Sequence, residues 1–309
     1  MPAQIQLSHA VHASSDPAPT AQAPEDISRY VQVREIFETQ LQERLRGPFP
    51  PILRKALLAT MRSFVNYRGY LRMAHDWAGL SSGEQYFQWM QAWLRPQVQV
   101  TGLENVPRNG RCLLVANHPT GFADGVALFA AGRSIRSDVG VFVISHLTEF
   151  NSHLTDRIVP VERREFRKTR ASSRVSLSCA RKGFQAERLM ALFPAGRESR
   201  LTLRGVRDLP WKSTAIKLAR RYQAPLLPVH IQARHSPFFY LCRALSMTLG
   251  ELQSLNELQN SYRRPYTITI GKPIDPQTLA GDADQLTADL QHFVERQLPS
   301  CPKAVFKPT

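Results

Sequence analysis

The chain has few cysteines and no long apolar run, and these two absences exclude several classes of protein. Its four cysteines lie far apart among 309 residues, at Cys112, Cys179, Cys242 and Cys301. None of the spacings is typical of a metal site or a redox pair. No uncharged apolar run approaches the roughly 20 residues that are needed to span a bilayer. We therefore expect reduced thiols, no bound metal and no transmembrane helix.

The N-terminal residues lack the basic and apolar segments of a secretory signal, so no such signal is expected. Residues 1–27 are instead rich in Ala, Pro, Ser and Gln, a composition typical of a disordered tail. Helical periodicity follows, and short apolar runs begin near residue 98. The predicted organisation is a disordered tail at 1–27, a helical region at 28–95 and an α/β domain at 96–300.

Acidic residues are scarce relative to basic ones, and this imbalance bears on the partners of the chain. The sequence has 25 Asp and Glu against 40 Lys and Arg, a net charge of +15. This charge indicates an anionic partner, which can be a nucleic acid, an anionic membrane surface or a phosphate-bearing substrate. Because the sequence has no zinc-finger spacing, basic zipper or aromatic RNA-binding signature, we expect no nucleic-acid partner.

The C-terminal two thirds of the chain alternate between short apolar runs and segments of helical periodicity. Helices are expected at 168–187, 214–222 and 284–298. The runs that predict strands are 98–100, 112–116, 139–144, 158–161, 189–193, 226–231 and 266–270. This alternation predicts an α/β fold with a mixed, largely parallel sheet flanked by helices. Helices expected at 53–64 and 82–94 would form an N-terminal helical extension.

Two apolar segments leave their role open. The amphipathic stretch 53–64 and the aromatic patch 237–242 can pack in the core, which is the more common fate of such residues. Either segment can instead lie in the plane of a membrane surface. The sequence does not decide between these two alternatives.

The octapeptide at 117–124, Asn-His-Pro-Thr-Gly-Phe-Ala-Asp, is the most informative segment. It follows the apolar run 112–116 and precedes another at 126–131, an order that predicts a strand, a sharp turn and a helix. Such turns carry the chemistry of many α/β folds. His118 can take a proton from a hydroxyl if Asp124 orients it, although a surface His beside a helix-capping Asp gives the same pattern.

Asn117-His118 followed by Asp124 resembles the first motif of the lysophospholipid acyltransferase superfamily. The resemblance implies that His118 removes the proton from an acceptor hydroxyl and that Asp124 holds His118. The usual spacing has four residues between His and Asp, whereas this chain has five. The longer form resembles a bacterial branch that includes hemolysin-type and lyso-ornithine lipid acyltransferases. The contact between His118 and Asp124 is therefore a prediction that a structure can test.

Three further segments, 158–163, 193–199 and 225–229, resemble the second, third and fourth motifs of that superfamily, in the same order. In the segment 158–163 the match to a phosphate-binding Arg is Arg163, with Arg164 as the alternative. The segment 225–229 resembles the apolar fourth motif, in which Pro228 would lie near the acyl chain. A late strand and turn at 268–274 also agree.

The segment 193–199 resembles the third motif, commonly Phe-Pro-Glu-Gly-Thr-Arg-Ser, and departs from it at two positions. Gly196 and Ser199 match, but Ala195 stands where the motif has Glu, and the Arg falls one position early, at Arg197. Either Arg197 or Arg200 can meet a substrate phosphate, and Glu198 can replace the missing carboxylate. The substrate-binding set that the resemblance implies is Asn117, Gly121, Arg163, Gly196, Arg197, Ser199 and Pro228.

The resemblance implies transfer of a fatty acyl group from a thioester to a lysolipid hydroxyl. The first expectation for the acceptor is 1-acylglycerol-3-phosphate, and the alternatives are a lyso-ornithine lipid or an idle lipid-binding protein on the same fold. Backbone N–H groups near Gly121 or Gly196 would stabilise the oxyanion. The co-substrate would be acyl-CoA or an acyl carrier protein thioester, with no bound cofactor.

The basic residues between Arg157 and Arg188 leave two interpretations open. They can be a solvated helix face, or they can bind anionic lipid headgroups, which contribute about 1 kcal/mol per Lys or Arg. An acidic acyl carrier protein would be attracted by the same face. We therefore expect a peripheral protein at the cytoplasmic face of a bacterial membrane.

Overall fold

The structure is a computed structural model, and it describes residues 3–4, 35, 38, 42, 50–64, 67–145, 147–148, 151–162, 169–203, 205–260 and 264–308. In these ranges the strands are β1 (Ala3–Gln4), β2 (Gln97–Thr101), β3 (Cys112–Ala116), β4 (Gly140–Ile144), β5 (Ile158–Val161), β6 (Leu189–Leu192), β7 (Arg200–Thr202), β8 (Gly205–Arg207), β9 (Leu226–Gln232) and β10 (Pro265–Ile270).

The described helices are α1 (Pro51–Phe64), α2 (Tyr67–Ala78), α3 (Gly83–Leu94), α4 (Phe122–Arg133), α5 (Arg170–Gln185), α6 (Thr214–Tyr222), α7 (Pro237–Leu245), α8 (Met247–Gln259) and α9 (Ala283–His292). A π-helical segment, Phe293–Gln297, continues α9. Short 3₁₀ segments lie at Leu103–Asn105, Ser152–Asp156 and Pro276–Thr278. No helix among these described segments is long and apolar enough to cross a bilayer.

Eight strands form one sheet in the order β1-β2-β10-β9-β3-β6-β4-β5. The β1–β2 and β9–β10 pairs are antiparallel, and the other neighbouring pairs are parallel. The predicted mixed, largely parallel sheet is therefore confirmed. β7 and β8 form a separate antiparallel hairpin, which the sequence did not predict.

Helices cover both faces of the sheet, because side chains alternate along each strand. Cys112, Leu114 and Ala116 of β3 pack on the face that α2, α3 and α4 cover. Leu113 and Val115 pack on the opposite face, against α5, α6 and α9. β3 is buried throughout, which explains why its sequence is a continuous apolar run.

The N-terminal helices pack on the main core. The Trp77 ring of α2 lies 6.3 Å from the Phe122 ring at the start of α4, and Asn151 Nδ2 donates to Trp77 O at 3.0 Å. Two residues of the predicted tail, Ala3 and Gln4, pair with β2. The rest of 1–27 lies outside the described residues, so the tail and the domain boundaries stay predictions.

The two apolar segments of open role are both helical and both mixed in burial. In α1, Leu58 is buried in the core, whereas Ile52 is exposed. In α7, Phe239 and Cys242 are buried, whereas Leu241 is exposed. Core packing therefore explains one side of each helix and leaves the other side in solvent.

Candidate active site

The octapeptide lies where two central strands end together. Val115 of β3 pairs with Leu192 of β6 in a parallel register, so the residues that follow both strands meet at the carboxyl edge of the sheet. Phe193 consequently stacks on the ring of His118, with the ring centroids 4.1 Å apart. This packing brings the first and third motifs of the sequence into one site.

The predicted contact between the base and the carboxylate is present. His118 Nδ1 lies 3.0 Å from Asp124 Oδ2, and Asp124 is fully buried at 0% exposure. The five-residue spacing is accommodated because Gly121 precedes α4 with φ of 70°. The helix therefore begins at Phe122, and Asp124 lies in its first turn rather than at its cap.

Asp124 is satisfied by a third residue of the turn. The Thr120 backbone N–H donates to Asp124 Oδ2 at 2.8 Å, and the Thr120 hydroxyl donates to Asp124 Oδ1. Tyr266 of β10 lies behind them, with its hydroxyl 3.0 Å from Thr120 Oγ1. Burial and the neighbouring Asp124 charge raise the pKa of Tyr266, which keeps this phenol a donor. A carboxylate that accepts these bonds stays fixed against His118.

A second carboxylate, Asp208, holds the backbone of the same turn. The His118 N–H donates to Asp208 Oδ1 at 3.1 Å, the Ser199 hydroxyl donates to Oδ1, and Trp211 Nε1 donates to Oδ2 at 2.8 Å. Ser199 N also donates to His118 O at 2.8 Å. Burial raises the pKa of Asp208, although the hydrogen bonds from Ser199 and Trp211 oppose the rise. Asp208 and Ser199 thus fix the main chain of His118 from both sides.

These contacts leave one nitrogen of His118 for a substrate. Nδ1 is occupied by Asp124, so Nε2 is the atom that can accept a proton. The side chain of His118 is 17% exposed, which leaves its edge accessible beside the Phe193 ring. A partly exposed His with one nitrogen held by a buried carboxylate, and the other without a partner in the described part of the chain, has the arrangement of a general base.

Glu198 closes the other side of the turn. A Cβ added at Gly121 would lie 2.4 Å from Glu198 Oε1, so a larger residue would displace the Glu198 side chain and would also be strained by the positive φ. Glu198 Oε2 accepts a bond from Arg243 of α7 at 3.1 Å, and Oε1 accepts from Ser254 of α8 at 3.2 Å. Glu198 therefore connects the His118 turn to the α7–α8 pair.

Comparison with known sequences agrees with this geometry. The sequence profile of the Acyltransferase family matches residues 76–274, which is more than half of the chain. The chain belongs to the acyltransferase family. A lyso-glycine lipid O-acyltransferase from Phocaeicola vulgatus is 31% identical over 220 residues, or 69% of this chain and 76% of that protein. A second, from Bacteroides thetaiotaomicron, is 33% identical over 220 residues, or 69% and 78%.

One solved structure is also similar to the acyltransferase. It is the 1-acyl-sn-glycerophosphate (LPA) acyltransferase PlsC from Thermotoga maritima, with a TM-score of 0.44 and 16% sequence identity. The match covers 92% of this chain and 98% of that one. The acyltransferase is therefore assigned to its family by sequence, as an enzyme that transfers acyl groups.

Two predicted substrate-binding residues of the acyltransferase lie within the sheet. Asn117 Nδ2 donates to Ile231 O at 2.9 Å, and Asn117 Oδ1 accepts from Ile231 N at 2.7 Å, so both ends of the amide extend the pairing of β3 with β9. Pro228 is buried in β9 and pairs with Val115, where Gly271 N donates to its carbonyl at 2.8 Å.

The other predicted substrate-binding residues of this set differ in their placement. Gly196 has φ of 63°, and its N–H donates to Phe193 O at 3.0 Å, so it forms the turn after β6. Arg197 is exposed, and its side chain has no hydrogen-bond or ion-pair partner in the described part of the chain. Arg163 and Arg164 lie outside the described residues.

Three contributors to the site were missed by sequence reasoning, namely Thr120, Asp208 and Tyr266. Asp208 is separated from His118 by 90 positions and Tyr266 from Thr120 by 146. Thr120 lies inside the octapeptide, where its hydroxyl near a buried carboxylate was a usable signal. In the parts of the chain that the structure describes, no group of three or more His, Cys, Asp and Glu side chains could hold a metal ion.

Proposed function

We propose that the acyltransferase esterifies the hydroxyl of a lysolipid that contains an amino acid, using an acyl thioester as donor. The observation that carries the acceptor class is the pair of relatives, both named for a lyso-glycine lipid and each about a third identical over 69% of the chain. The His118–Asp124 pair supports the chemistry. Among the alternatives from the sequence, this choice favours an aminolipid over 1-acylglycerol-3-phosphate.

In the proposed reaction, His118 acts first as a base and then as an acid. In this mechanism the Nδ1–H of His118 donates a hydrogen bond to Asp124. Nε2 is therefore the nitrogen that takes the proton from the acceptor hydroxyl. The oxygen attacks the thioester carbonyl carbon, and the C–S bond breaks as the ester forms. The proton on Nε2 then passes to the departing thiolate. Asp124 stabilises the imidazolium between these two steps.

The first turn of α4 is the source that we propose for oxyanion donors. The N–H groups at the start of a helix have no partner within the helix, and the helix dipole favours negative charge there. The turn around Gly121 begins α4 three residues after His118, and within it the Asp124 N–H is already bonded to Gly121 O at 3.0 Å. Gly196, the other candidate from the sequence, already donates its N–H to Phe193 O.

Arginine can bind an acceptor that contains an amino acid or one that contains a phosphate, because its planar guanidinium forms two hydrogen bonds to a carboxylate or to a phosphate. Arg197 and Arg200 are both exposed beside the site, and we propose them as the groups that meet the anionic end of the acceptor. We further propose that acyl-CoA or an acidic acyl carrier protein supplies the acyl group. The site would lie at the surface of an anionic membrane.

A competition between acceptors tests this proposal. Purified protein is given an acyl thioester with equal amounts of lyso-glycine lipid and 1-acylglycerol-3-phosphate, and mass spectrometry measures both products. We expect the acylated glycine lipid to dominate. Preferential formation of phosphatidic acid would overturn the acceptor assignment and leave the chemistry standing. A protein that acylates neither acceptor with either donor would contradict the chemistry as well.

A further inference from the structure

Apolar side chains are exposed beside the active site on two separate segments. In α7, Leu241 is 56% and Leu245 72% exposed, and Phe238 shares their side of the helix. Their spacing of three and four residues puts them in one stripe. On the β7–β8 hairpin, Leu201 is exposed and Leu203 is fully exposed. A contiguous exposed apolar stripe such as that of α7 indicates an interaction site rather than random exposure.

Both segments are connected to the catalytic turn. Arg243 of α7 donates to Glu198 Oε2 at 3.1 Å, and Glu198 packs against Gly121. The hairpin begins one residue after Ser199, whose N–H donates to His118 O at 2.8 Å. The exposed leucines therefore lie on elements that are anchored to the catalytic turn itself.

Exposed basic residues accompany the leucines. Arg197 and Arg200 flank the start of the hairpin, and Arg234 lies just before α7. The side chains of Arg197 and Arg200 make no hydrogen bond or ion pair within the described residues. Apolar side chains flanked by exposed positive charge match the two attractions of an anionic bilayer, which are apolar burial and headgroup charge.

We propose that this rim face docks the enzyme on an anionic lipid bilayer, the surface in which a lipid acceptor resides. The rim face comprises Leu201, Leu203, Phe238, Leu241 and Leu245 with Arg197, Arg200 and Arg234. The inference rests on the proposed function, since a lysolipid acceptor resides in such a bilayer. A lipid surface fits better than an acidic carrier protein, because the stripe on α7 is apolar along its whole length.

Vesicle binding tests the rim face without measuring activity. The protein is sedimented with vesicles of equal parts phosphatidylcholine and phosphatidylglycerol, as wild type and as Leu241→Ser/Leu245→Ser. Loss of two interfacial leucines is expected to weaken binding at least about tenfold. The matched control is Val175→Ser/Leu177→Ser, which removes two exposed apolar side chains from the basic helix α5 and should bind as wild type.

The same variants distinguish a bilayer from the other partners that the rim face could bind. Undiminished vesicle binding by Leu241→Ser/Leu245→Ser would overturn the proposal, as would a loss confined to the α5 control. If the double variant bound vesicles normally but changed oligomeric state, the rim face would be an interface between copies. If it lost only acyl carrier protein, the face would belong to the donor. Leu203→Ser, on the independent hairpin, should weaken vesicle binding by a smaller factor.

Activity separates failure of the rim face from failure of the proposed function. With a lysolipid embedded in the same vesicles, turnover by Leu241→Ser/Leu245→Ser should fall in parallel with binding. With a short-chain acceptor dissolved in water, turnover should equal that of wild type. Wild-type turnover on vesicles by the double variant would contradict docking alone. Vesicle binding by a wild-type protein that acylates no lysolipid would contradict the proposed function alone.

Discussion

The His118 turn and the rim face lie at the same edge of the sheet, yet they differ in composition and in burial. The turn buries two carboxylates, Asp124 and Asp208, each satisfied by several donors. The rim exposes leucines, among them Leu203 and Leu245. In a typical soluble protein, buried groups are apolar and exposed groups are polar. The inversion separates the residues that position the base from those available to meet a lipid.

This difference also predicts where mutations act. Buried carboxylates bonded to several donors cannot be replaced without leaving those donors unsatisfied. Exposed leucines can be replaced with little effect on the fold, since surface substitutions usually change stability by less than about 0.5 kcal/mol. Chemistry should therefore respond to the turn, and interfacial behaviour should respond to the rim.

After loss of His118 itself, the largest effect is expected from Asp124→Asn. The amide keeps the shape of the carboxylate but cannot stabilise the imidazolium or fix the tautomer of His118. We expect kcat to fall on the order of a thousandfold for vesicle-bound and dissolved acceptors alike. Steady-state kinetics measure this loss, and Leu177→Ser on α5 is the control. A loss of kcat that appeared only with vesicles would indicate that Asp124 acts in docking and not in the chemistry.

Asp208→Asn should have a smaller effect on the chemistry. Its amide nitrogen would face one of the donors from Ser199, Trp211 or the His118 backbone, and the turn would shift. We expect kcat to fall roughly tenfold with KM nearly unchanged, because the base and not the acceptor is displaced. Unfolding in urea should show a loss of about 1–3 kcal/mol. A variant with lower stability and unchanged kcat would reduce Asp208 to a structural residue.

Arg197→Ala should weaken binding, both of the acceptor and of the bilayer, without changing the chemistry. The side chain is exposed and makes no bond within the described residues, so its removal should not affect the fold. We expect KM for the acceptor to rise a few-fold at constant kcat, by the loss of about 1 kcal/mol of charge-assisted binding. Arg221→Ala, at an exposed position on α6, is the matched control. An unchanged KM would leave Arg200 or Arg163 as the anion-binding residue.

The smallest effect concerns how α7 is attached. Glu257 of α8 accepts bonds from Ser236 N at 2.8 Å and from Gln253 at 3.1 Å, and it also meets Arg264 and His235. Burial alone would raise the pKa of Glu257, but the bonds from His235, Arg264 and Ser236 outweigh it and lower the pKa.

A lowered pKa in the folded state means that the stabilisation is present above the ordinary value of 4.5 and is lost as pH falls below it. Wild type should therefore lose more unfolding free energy than Glu257→Gln as the pH falls from neutral to about 3. Urea unfolding at both pH values measures the difference. Equal losses in the two proteins would show that the anchor of α7 does not depend on this charge.

The central strands were predictable from sequence because each is buried on both faces. The predicted range 112–116 coincides with β3, and the predicted range 189–193 exceeds β6 by one residue, since continuous apolar runs leave little ambiguity in a parallel sheet. The contact between His118 and Asp124 was predictable from their residue types and order. How the longer spacing closes was not, because it depends on the backbone angle of Gly121.

Two features could not be predicted from the sequence, for physical reasons. The contact of Asp208 with His118 joins distant positions through the tertiary fold, and no local pattern marks it. Leu241 and Leu245 of α7 have the helical spacing of a core face, and only the packed structure shows that no described element covers them. Periodicity identifies a face, but the face that becomes buried is decided by what packs against it.

The central claim is that His118, oriented by Asp124, is the base for acyl transfer to a lysolipid. It is tested most directly by mass spectrometry of the product formed from an acyl thioester and lyso-glycine lipid by wild type and His118→Ala, with the fold of each checked by circular dichroism. The account predicts the acylated glycine lipid from wild type and at most a trace from a folded His118→Ala. Equal product from the two proteins would contradict it.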